Sequence, residues 1–104
     1  MAGHVVESGP PNTIADGVAG RHTIAEVLTD LLQLVDEVFL VKEESIIEGM
    51  RLLYEQSGLI VEPAAALGMA CMLENKKQFK GARIASVLCG SNVSPYDFRR
   101  WVKL

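Results

Sequence analysis

Residues 64–73 carry no charged side chain, and this limits the folds open to a chain of 104 residues. Half of these residues are alanine or glycine: Ala64, Ala65, Ala66, Gly68 and Ala70. Pro63 comes directly before them and suits the first position of a helix, because proline lacks the N–H that a helix start leaves unpaired. A helix that is apolar all round is a buried helix that packs closely on its neighbours. We therefore expect a buried helix over residues 63–74, covered from several sides.

Apolar side chains at helical spacing predict two helices in the first half of the chain. The first covers residues 23–34, where Thr23 and Glu26 fit a capping box in which each side chain bonds the other's backbone N–H. The second covers residues 43–57, with acidic residues in its first turn, where the helix dipole favours them. Gly58 is expected to end this helix, since glycine readily adopts left-handed backbone angles.

Turn-forming residues define the two ends of the chain. Residues 1–12 are polar and end in two prolines before Asn12, which predicts a loop. Residues 13–18 favour a strand or an extended segment. Residues 95–102 are predicted to form the last helix, with Ser94 as its N-cap and a proline at its first position.

Two short apolar runs predict strands that are covered on both faces: residues 38–41 (Val-Phe-Leu-Val) and 84–88 (Ile-Ala-Ser-Val-Leu). Helices that alternate with such strands favour an α/β fold, with helices packed on a short, mainly parallel sheet. A buried helix and two buried strands need more cover than a chain of this length supplies. We therefore interpret the chain as part of a larger domain, or as one that associates through an apolar face.

Composition excludes several classes of protein. Hydrophobic residues make up 49% of the chain and charged residues 22%, which is unlike an intrinsically disordered chain. Two cysteines are too few for a disulfide scaffold. No apolar run reaches the roughly 18 residues of a membrane span, and the N-terminus lacks the basic and apolar regions of a signal peptide. We expect a cytoplasmic protein with reduced thiols and no membrane partner.

The net charge of −3 is distributed unevenly along the chain. Residues 1–75 hold three basic and twelve acidic side chains, a balance of −9, whereas residues 76–104 hold seven basic and one acidic, a balance of +6. A basic C-terminal third can indicate nucleic-acid binding. Its basic residues do not fall on one helical stripe, so we expect a solvated basic surface and no nucleic-acid partner.

Two places in the sequence offer polar groups at the edge of the predicted sheet. Glu62 precedes the buried helix, where it is either a simple helix cap or a carboxylate at the mouth of a site. Residues 89–92 (Cys-Gly-Ser-Asn) follow a predicted strand, at the edge where α/β sheets bind ligands. Gly90 lets backbone approach a ligand and Asn92 offers a polar side chain, although both are also ordinary turn formers. Neither histidine has a partner at metal-ligand spacing, so we expect no metal site.

Four motifs occur in order at compatible spacings: residues 13–18 (Thr-Ile-Ala-Asp-Gly-Val), 35–38 (Val-Asp-Glu-Val), 61–64 (Val-Glu-Pro-Ala) and 87–93 (Val-Leu-Cys-Gly-Ser-Asn-Val). Together they resemble the C-terminal part of the catalytic domain of threonine and serine dehydratases. That family of fold-type-II pyridoxal-phosphate enzymes also includes serine racemase. The resemblance covers nearly the whole chain, and it is the combination of motifs that makes it specific.

The resemblance implies an enzyme that uses pyridoxal phosphate. In this family a lysine holds the cofactor as a Schiff base, and L-threonine or L-serine loses its β-hydroxyl by elimination to give a 2-oxo acid and ammonia. Carried over by position, Cys89 lies at the pyridine nitrogen and Glu62 lies beside the cofactor and the substrate. Gly90 and Asn92 shape the loop around the cofactor. We also expect an amino-acid substrate and a homo-oligomer.

The sequence also departs from the family. Ser91 stands where the family's loop often has a second glycine, and residues 64–66 are alanines where a glycine often occurs. None of the five lysines has the sequence context of the family's catalytic lysine, so no catalytic residue is assigned here. We expect residues 1–104 to form the C-terminal segment of the catalytic domain and to be inactive alone. The alternatives are a segment of a serine racemase-like enzyme and a non-catalytic, truncated segment that only associates with other chains.

Overall fold

The computed structural model describes residues 2–104, which are organised around helices. The α-helices are α1 (Ala25–Leu34), α2 (Glu43–Ser57), α3 (Leu67–Glu74), α4 (Lys76–Phe79) and α5 (Pro95–Val102). Two 3₁₀ turns lie at Asp16–Val18 and Pro63–Ala66, and the second runs directly into α3. Residue 1, which belongs to the predicted N-terminal loop, lies outside the described residues. Over residues 2–104, no helix combines the length and the apolar character needed to cross a membrane.

The core lies where α2 meets α3, the 3₁₀ turn before α3, and α5. Its buried side chains are Ala15, Ile46, Met50, Leu53, Val61, Ala65, Ala66, Ala70, Phe98 and Val102. Helices α2 and α3 approach closely, because a Cβ placed on Gly49 would be 3.2 Å from both the Ala66 carbonyl oxygen and the Met69 Cβ. Towards α5, the rings of Tyr54 and Phe98 pack edge to face with centroids 5.6 Å apart. Pro63 and the three alanines after it are buried as expected. Within α3 only Ala70 is buried, so the expectation of a helix covered from several sides is wrong for residues 67–74.

Three predicted helices and their end signals are confirmed. Helix α2 ends at Gly58, which has a φ of +68°. Helix α5 begins after Ser94, whose hydroxyl oxygen accepts a hydrogen bond from the Asp97 N–H at 3.0 Å. The third helix begins with Pro63 and continues as α3. These signals act within one turn of chain, which is why the sequence alone is sufficient to predict them.

Two expectations for the N-terminal part are wrong. The helix expected at 23–34 is present as α1, but Ile24 has the N-cap position and no side chain caps it. A hydroxyl caps a helix from the N-cap position itself, and Thr23 lies one residue too early. The strand or extended segment expected at residues 13–18 is instead a loop that ends in the 3₁₀ turn Asp16–Val18.

The predicted sheet is absent from the described part of the chain, residues 2–104, where no β-strand is formed. Residues 38–41 and 84–88 are non-helical, and the side chains of Leu40 and Val87 are 95% and 83% exposed. A strand requires backbone pairing with a neighbour, which an apolar run cannot supply by itself. The mainly parallel sheet therefore stays a prediction.

The described chain is flat and exposes more surface than a compact protein of its mass. Its extents are 42 × 35 × 19 Å, and its radius of gyration is 15.0 Å against about 13 Å for a compact domain of this length. Its accessible surface is 7905 Å², whereas about 5,700 Å² is typical for this mass. Helix α1 contributes to the excess, because it packs against no other described helix and none of its side chains is buried. The excess surface supports the expectation that other polypeptide covers part of this chain.

Glu74, the last residue of α3, bonds the start of α2. One of its carboxylate oxygens accepts a hydrogen bond from the Lys42 N–H at 2.8 Å. Hydrogen bonds from the Ser45 side chain and from the Lys42 backbone hold the pKa of Glu74 below its ordinary value of 4.5. The ionised carboxylate therefore stabilises the fold above pH 4.5, and this contribution is lost as the pH falls through the lower pKa of the folded state. We expect Glu74→Gln to lower the Tm slightly at neutral pH and to leave it unchanged below that folded-state pKa.

Thermal melts followed by circular dichroism across the acid range check this expectation. Glu55→Gln is the matched control, because Glu55 is an exposed carboxylate of α2 that has no hydrogen bond within residues 2–104. If Glu74→Gln lowered the Tm equally at every pH, the hydrogen bonds to the ionised carboxylate would not be the source of the effect.

Candidate functional site

The structure brings together Glu62 and Gly90, which lie far apart in the sequence. The Glu62 N–H donates a hydrogen bond to the Gly90 carbonyl oxygen at 3.2 Å. The Glu62 carboxylate also lies against the α-carbon of Gly90, because a Cβ built there would overlap Oε1 and lie 3.2 Å from Cδ. Glycine at position 90 is therefore what allows the carboxylate to lie against the backbone.

Gly17 lies on the other side of the Glu62 carboxylate from Gly90. A Cβ on Gly17 would be 3.3 Å from the Ala64 Cβ and 4.0 Å from Oε2 of Glu62. The two carboxylate oxygens thus face the backbones of two glycines, Oε1 towards Gly90 and Oε2 towards Gly17. We call this arrangement the carboxylate slot. Sequence reasoning used Gly17 only as part of a motif, and no local signal in the sequence predicts its contact with Glu62.

The side chain of Glu62 does not serve as a helix cap. Glu62 occupies the N-cap position of the 3₁₀ turn Pro63–Ala66, but its carboxylate accepts no hydrogen bond from that turn. Only its backbone carbonyl takes part, accepting from the Ala65 N–H at 3.0 Å. Of the two interpretations of Glu62, the simple cap is wrong.

A further acidic residue, Glu43, holds the segment that carries Gly17. The Thr13 hydroxyl donates a hydrogen bond to one carboxylate oxygen of Glu43, and the Ile14 N–H donates to the other at 3.1 Å. The Ala15 N–H in turn donates to the Thr13 hydroxyl oxygen at 3.1 Å. Sequence reasoning treated Glu43 only as an acidic residue in a first helical turn. The sequence shows a hydroxyl donor at Thr13, but its acceptor, Glu43, lies 30 residues away and no local pattern connects the two.

Cys89 and Asn92 lie on either side of Gly90 in the sequence, and both are exposed. Neither side chain makes a hydrogen bond within residues 2–104, so the thiol and the amide are free to bind a ligand. Glu62 and Gly90 are half-buried. The site therefore combines a half-buried carboxylate, a glycine backbone, a weak thiol donor and an amide. In the same described range, no group of three His, Cys, Asp or Glu side chains is arranged to hold a metal ion.

Comparison with known proteins assigns the family. The family described as pyridoxal-phosphate dependent enzyme matches residues 1–90. The chain belongs to the pyridoxal-phosphate dependent enzyme family. It is similar to the L-threo-3-hydroxyaspartate ammonia-lyase of a Pseudomonas species, with 31% identity over 104 residues, which are 100% of this chain and 32% of that relative. It is also similar to the L-threonine ammonia-lyase of Thermotoga maritima, with 36% identity over 88 residues, covering 85% of this chain and 21% of the relative.

Two further relatives extend the comparison. Human serine racemase is 34% identical over 97 residues, covering 90% of this chain and 28% of the relative. The crystal structure of the T.th. threonine deaminase superposes with a TM-score of 0.82 at 33% identity, covering 89% of this chain and 31% of that chain. The pyridoxal-phosphate dependent family member described here thus spans about a third or less of the length of these relatives. The resemblance to threonine dehydratases that the four motifs indicate is confirmed.

Proposed function

We propose that this chain forms the C-terminal part of the catalytic domain of a pyridoxal-phosphate-dependent ammonia-lyase that acts on L-threonine or L-serine. The observation that carries the proposal is the carboxylate slot, in which Glu62 lies against Gly90 directly beside the exposed Cys89. The family assignment and the likeness to threonine ammonia-lyases support it. The reaction expels the β-hydroxyl of the amino acid and yields a 2-oxo acid and ammonia.

Pyridoxal phosphate fits the residues of this site. When bound, the cofactor supplies an electron sink for the α-carbon of the amino acid. The Cys89 thiol is exposed and is a weak donor, so it suits a hydrogen bond to a neutral pyridine nitrogen. The backbone at Gly90 carries no side chain that would hold a planar ring away. Cys89 and Gly90 would therefore hold the ring edge.

Glu62 and Asn92 serve the substrate side of the site in this proposal. The Glu62 carboxylate lies against the α-carbon of Gly90 and has Gly17 on its other side, so packing and not a helix cap sets the direction of its oxygens. A fixed carboxylate can accept a hydrogen bond, or hold a proton, at the substrate's β-hydroxyl side. The exposed Asn92 amide offers two donors and an acceptor and would orient the loop.

A racemase is the second candidate, and the likeness to human serine racemase favours it. It uses the same cofactor and the same removal of the α-proton, and it differs in returning a proton to the opposite face. The third candidate is a non-catalytic segment that only associates with other chains. We further propose that the substrate is an amino acid and that the chain associates with copies of itself through its exposed apolar surface. The proposed location is the cytoplasm.

A chimera tests the proposal. This chain replaces the segment that it matches in the T.th. threonine deaminase, and that enzyme supplies the rest of the domain. We expect the chimera to bind pyridoxal phosphate, seen as visible absorbance, and to release 2-oxo acid and ammonia from L-threonine or L-serine. Conversion of L-serine to D-serine without 2-oxo acid would instead support the racemase. A chimera that folds with the parent's Tm and size but binds no cofactor contradicts both enzymes.

The 104-residue chain alone is expected to release no 2-oxo acid from L-serine or L-threonine. None of its five lysines has the sequence context of the family's catalytic lysine, so the covalent step that begins the reaction has no nucleophile. The measurement is a coupled assay of 2-oxo acid with purified chain and added pyridoxal phosphate, with the chimera as the positive control. Release of 2-oxo acid by the purified chain would show that one of its own lysines can serve as the catalytic lysine, and the prediction would be wrong.

A further inference from the structure

Glu43 differs from the other acidic residues of α2 because a distant part of the chain occupies both of its carboxylate oxygens. One oxygen accepts from the Thr13 hydroxyl and the other from the Ile14 N–H. Glu43 opens α2, whose Ile46 and Met50 are among the most deeply buried side chains. The carboxylate is therefore attached to a well-packed element and can fix the loop that leads into the 3₁₀ turn Asp16–Val18.

The segment that Glu43 holds leads directly to the carboxylate slot. The Thr13 hydroxyl also accepts from the Ala15 N–H, and the Ala15 side chain is buried in the core. Two residues later Gly17 lies against Ala64 and faces Oε2 of Glu62. A continuous path of contacts thus joins Glu43 to Glu62 through residues 13–17.

We propose that Glu43 is a positioning residue, which holds residues 13–17 in place and thereby keeps the Glu62 carboxylate between Gly17 and Gly90. Without the acceptor oxygens of Glu43, the Thr13 hydroxyl and the Ile14 N–H lose their partners, and the segment is then held only by the buried Ala15 and the contact of Gly17 with Ala64. One wall of the carboxylate slot then opens, and Glu62 is free to turn away from Gly90. The effect on the reaction rests on the proposed function, whereas the contacts themselves belong to this chain.

Nuclear magnetic resonance on the 104-residue chain tests the contacts without any activity. The probe is the cross-relaxation between the Gly17 α-protons and the Ala64 methyl group. We expect Glu43→Gln to weaken it strongly, because the amide oxygen can accept only one of the two hydrogen bonds and the amide nitrogen can accept neither. Thr13→Ser keeps the hydroxyl and should keep the signal.

Glu44→Gln is the matched control for the same charge change. Glu44 is the next residue of α2 and is exposed, and its side chain makes no hydrogen bond within residues 2–104. If Glu43→Gln retains the cross-relaxation as Glu44→Gln does, the proposal is overturned. Loss of the signal in Glu43→Gln but not in Glu44→Gln supports it.

A double-mutant cycle in the chimera tests the link to the site and does not depend on the spectra. We expect Glu43→Gln to lower kcat/KM on the order of tenfold, because a small displacement of a positioned group is costly. If Glu43 acts through Glu62, the double variant Glu43→Gln, Glu62→Gln is no slower than Glu62→Gln alone. Cofactor affinity is measured in the same variants by visible absorbance. If that affinity is unchanged and the two substitutions lower kcat/KM by the product of their separate effects, Glu43 does not act through Glu62 and the link is overturned.

The two experiments separate the possible failures. A chimera that forms no 2-oxo acid in any version removes the proposed function, and the cross-relaxation in the chain still decides whether Glu43 positions the segment. An active chimera with intact cross-relaxation in Glu43→Gln removes the positioning role and leaves the proposed function standing.

Discussion

Replacing Gly90 by alanine in the chimera is expected to lower kcat/KM for L-threonine by about 100-fold, because the new Cβ would overlap Oε1 of Glu62. The carboxylate must then leave its place in the slot. A misplacement of roughly 1 Å at a reacting group can cost about 10²-fold in rate. A carboxylate displaced from Gly90 would also disturb the proposed cofactor loop at residues 89–92, so we expect weaker cofactor binding. Steady-state kinetics with L-threonine and a titration with pyridoxal phosphate measure both effects.

Gly20→Ala is the matched control for this substitution. A Cβ on Gly20 meets nothing within 4 Å, and its φ is outside the left-handed region. We expect Gly20→Ala to retain the activity and the Tm of the parent chimera. Equal activity of Gly90→Ala and Gly20→Ala would mean that the slot has no part in the reaction. A fall in Tm with unchanged kcat/KM would limit Gly90 to a structural role.

Replacing Cys89 by aspartate should depress elimination on the order of tenfold, whereas Cys89→Ser should retain most of it. A hydroxyl and a thiol both donate to a neutral ring nitrogen, but a carboxylate favours the protonated ring. Groups at the ring nitrogen tune the electron demand of the cofactor and therefore the partition between reactions. Protonation should increase transamination relative to elimination.

The measurement is kcat/KM for 2-oxo acid release, with formation of pyridoxamine phosphate followed in parallel. Ser8→Asp is the matched control, because it introduces the same carboxylate at an exposed position outside the loop of residues 89–92. If Cys89→Asp eliminates as well as the parent and forms no additional pyridoxamine phosphate, Cys89 is not at the ring nitrogen. The transfer of the family's loop onto residues 89–92 would then be wrong.

The helices were predictable because their signals are local. The apolar spacing of residues 43–57, the left-handed Gly58 and the Ser94 cap each act within a few residues, and the structure has all three. The capping box at Thr23 was wrong because a one-residue shift of the helix start changes which side chain is the N-cap. Such shifts depend on packing beyond the local sequence.

The contacts of the site depend on residues that are distant in sequence. Glu62 and Gly90 were identified separately from their motifs, but no spacing rule predicts that the carboxylate of one lies on the α-carbon of the other. The bond from Thr13 to Glu43 is likewise invisible to periodicity. The predicted strands failed to appear for a related reason, since a strand exists only with a partner that the sequence pattern does not name.

The uncovered run at residues 84–89 has a consequence for the chain during its synthesis. Ile-Ala-Ser-Val-Leu-Cys is rich in apolar residues, contains no charge and no proline, and lies exposed without a neighbouring strand among residues 2–104. Segments of this kind pair readily with identical segments of other chains and form cross-β aggregates. Arg83, directly before the run, places a charge at one end and opposes such stacking. We therefore expect newly made chains to aggregate unless other polypeptide covers this run first, so that the rate of covering would set how much folded protein accumulates.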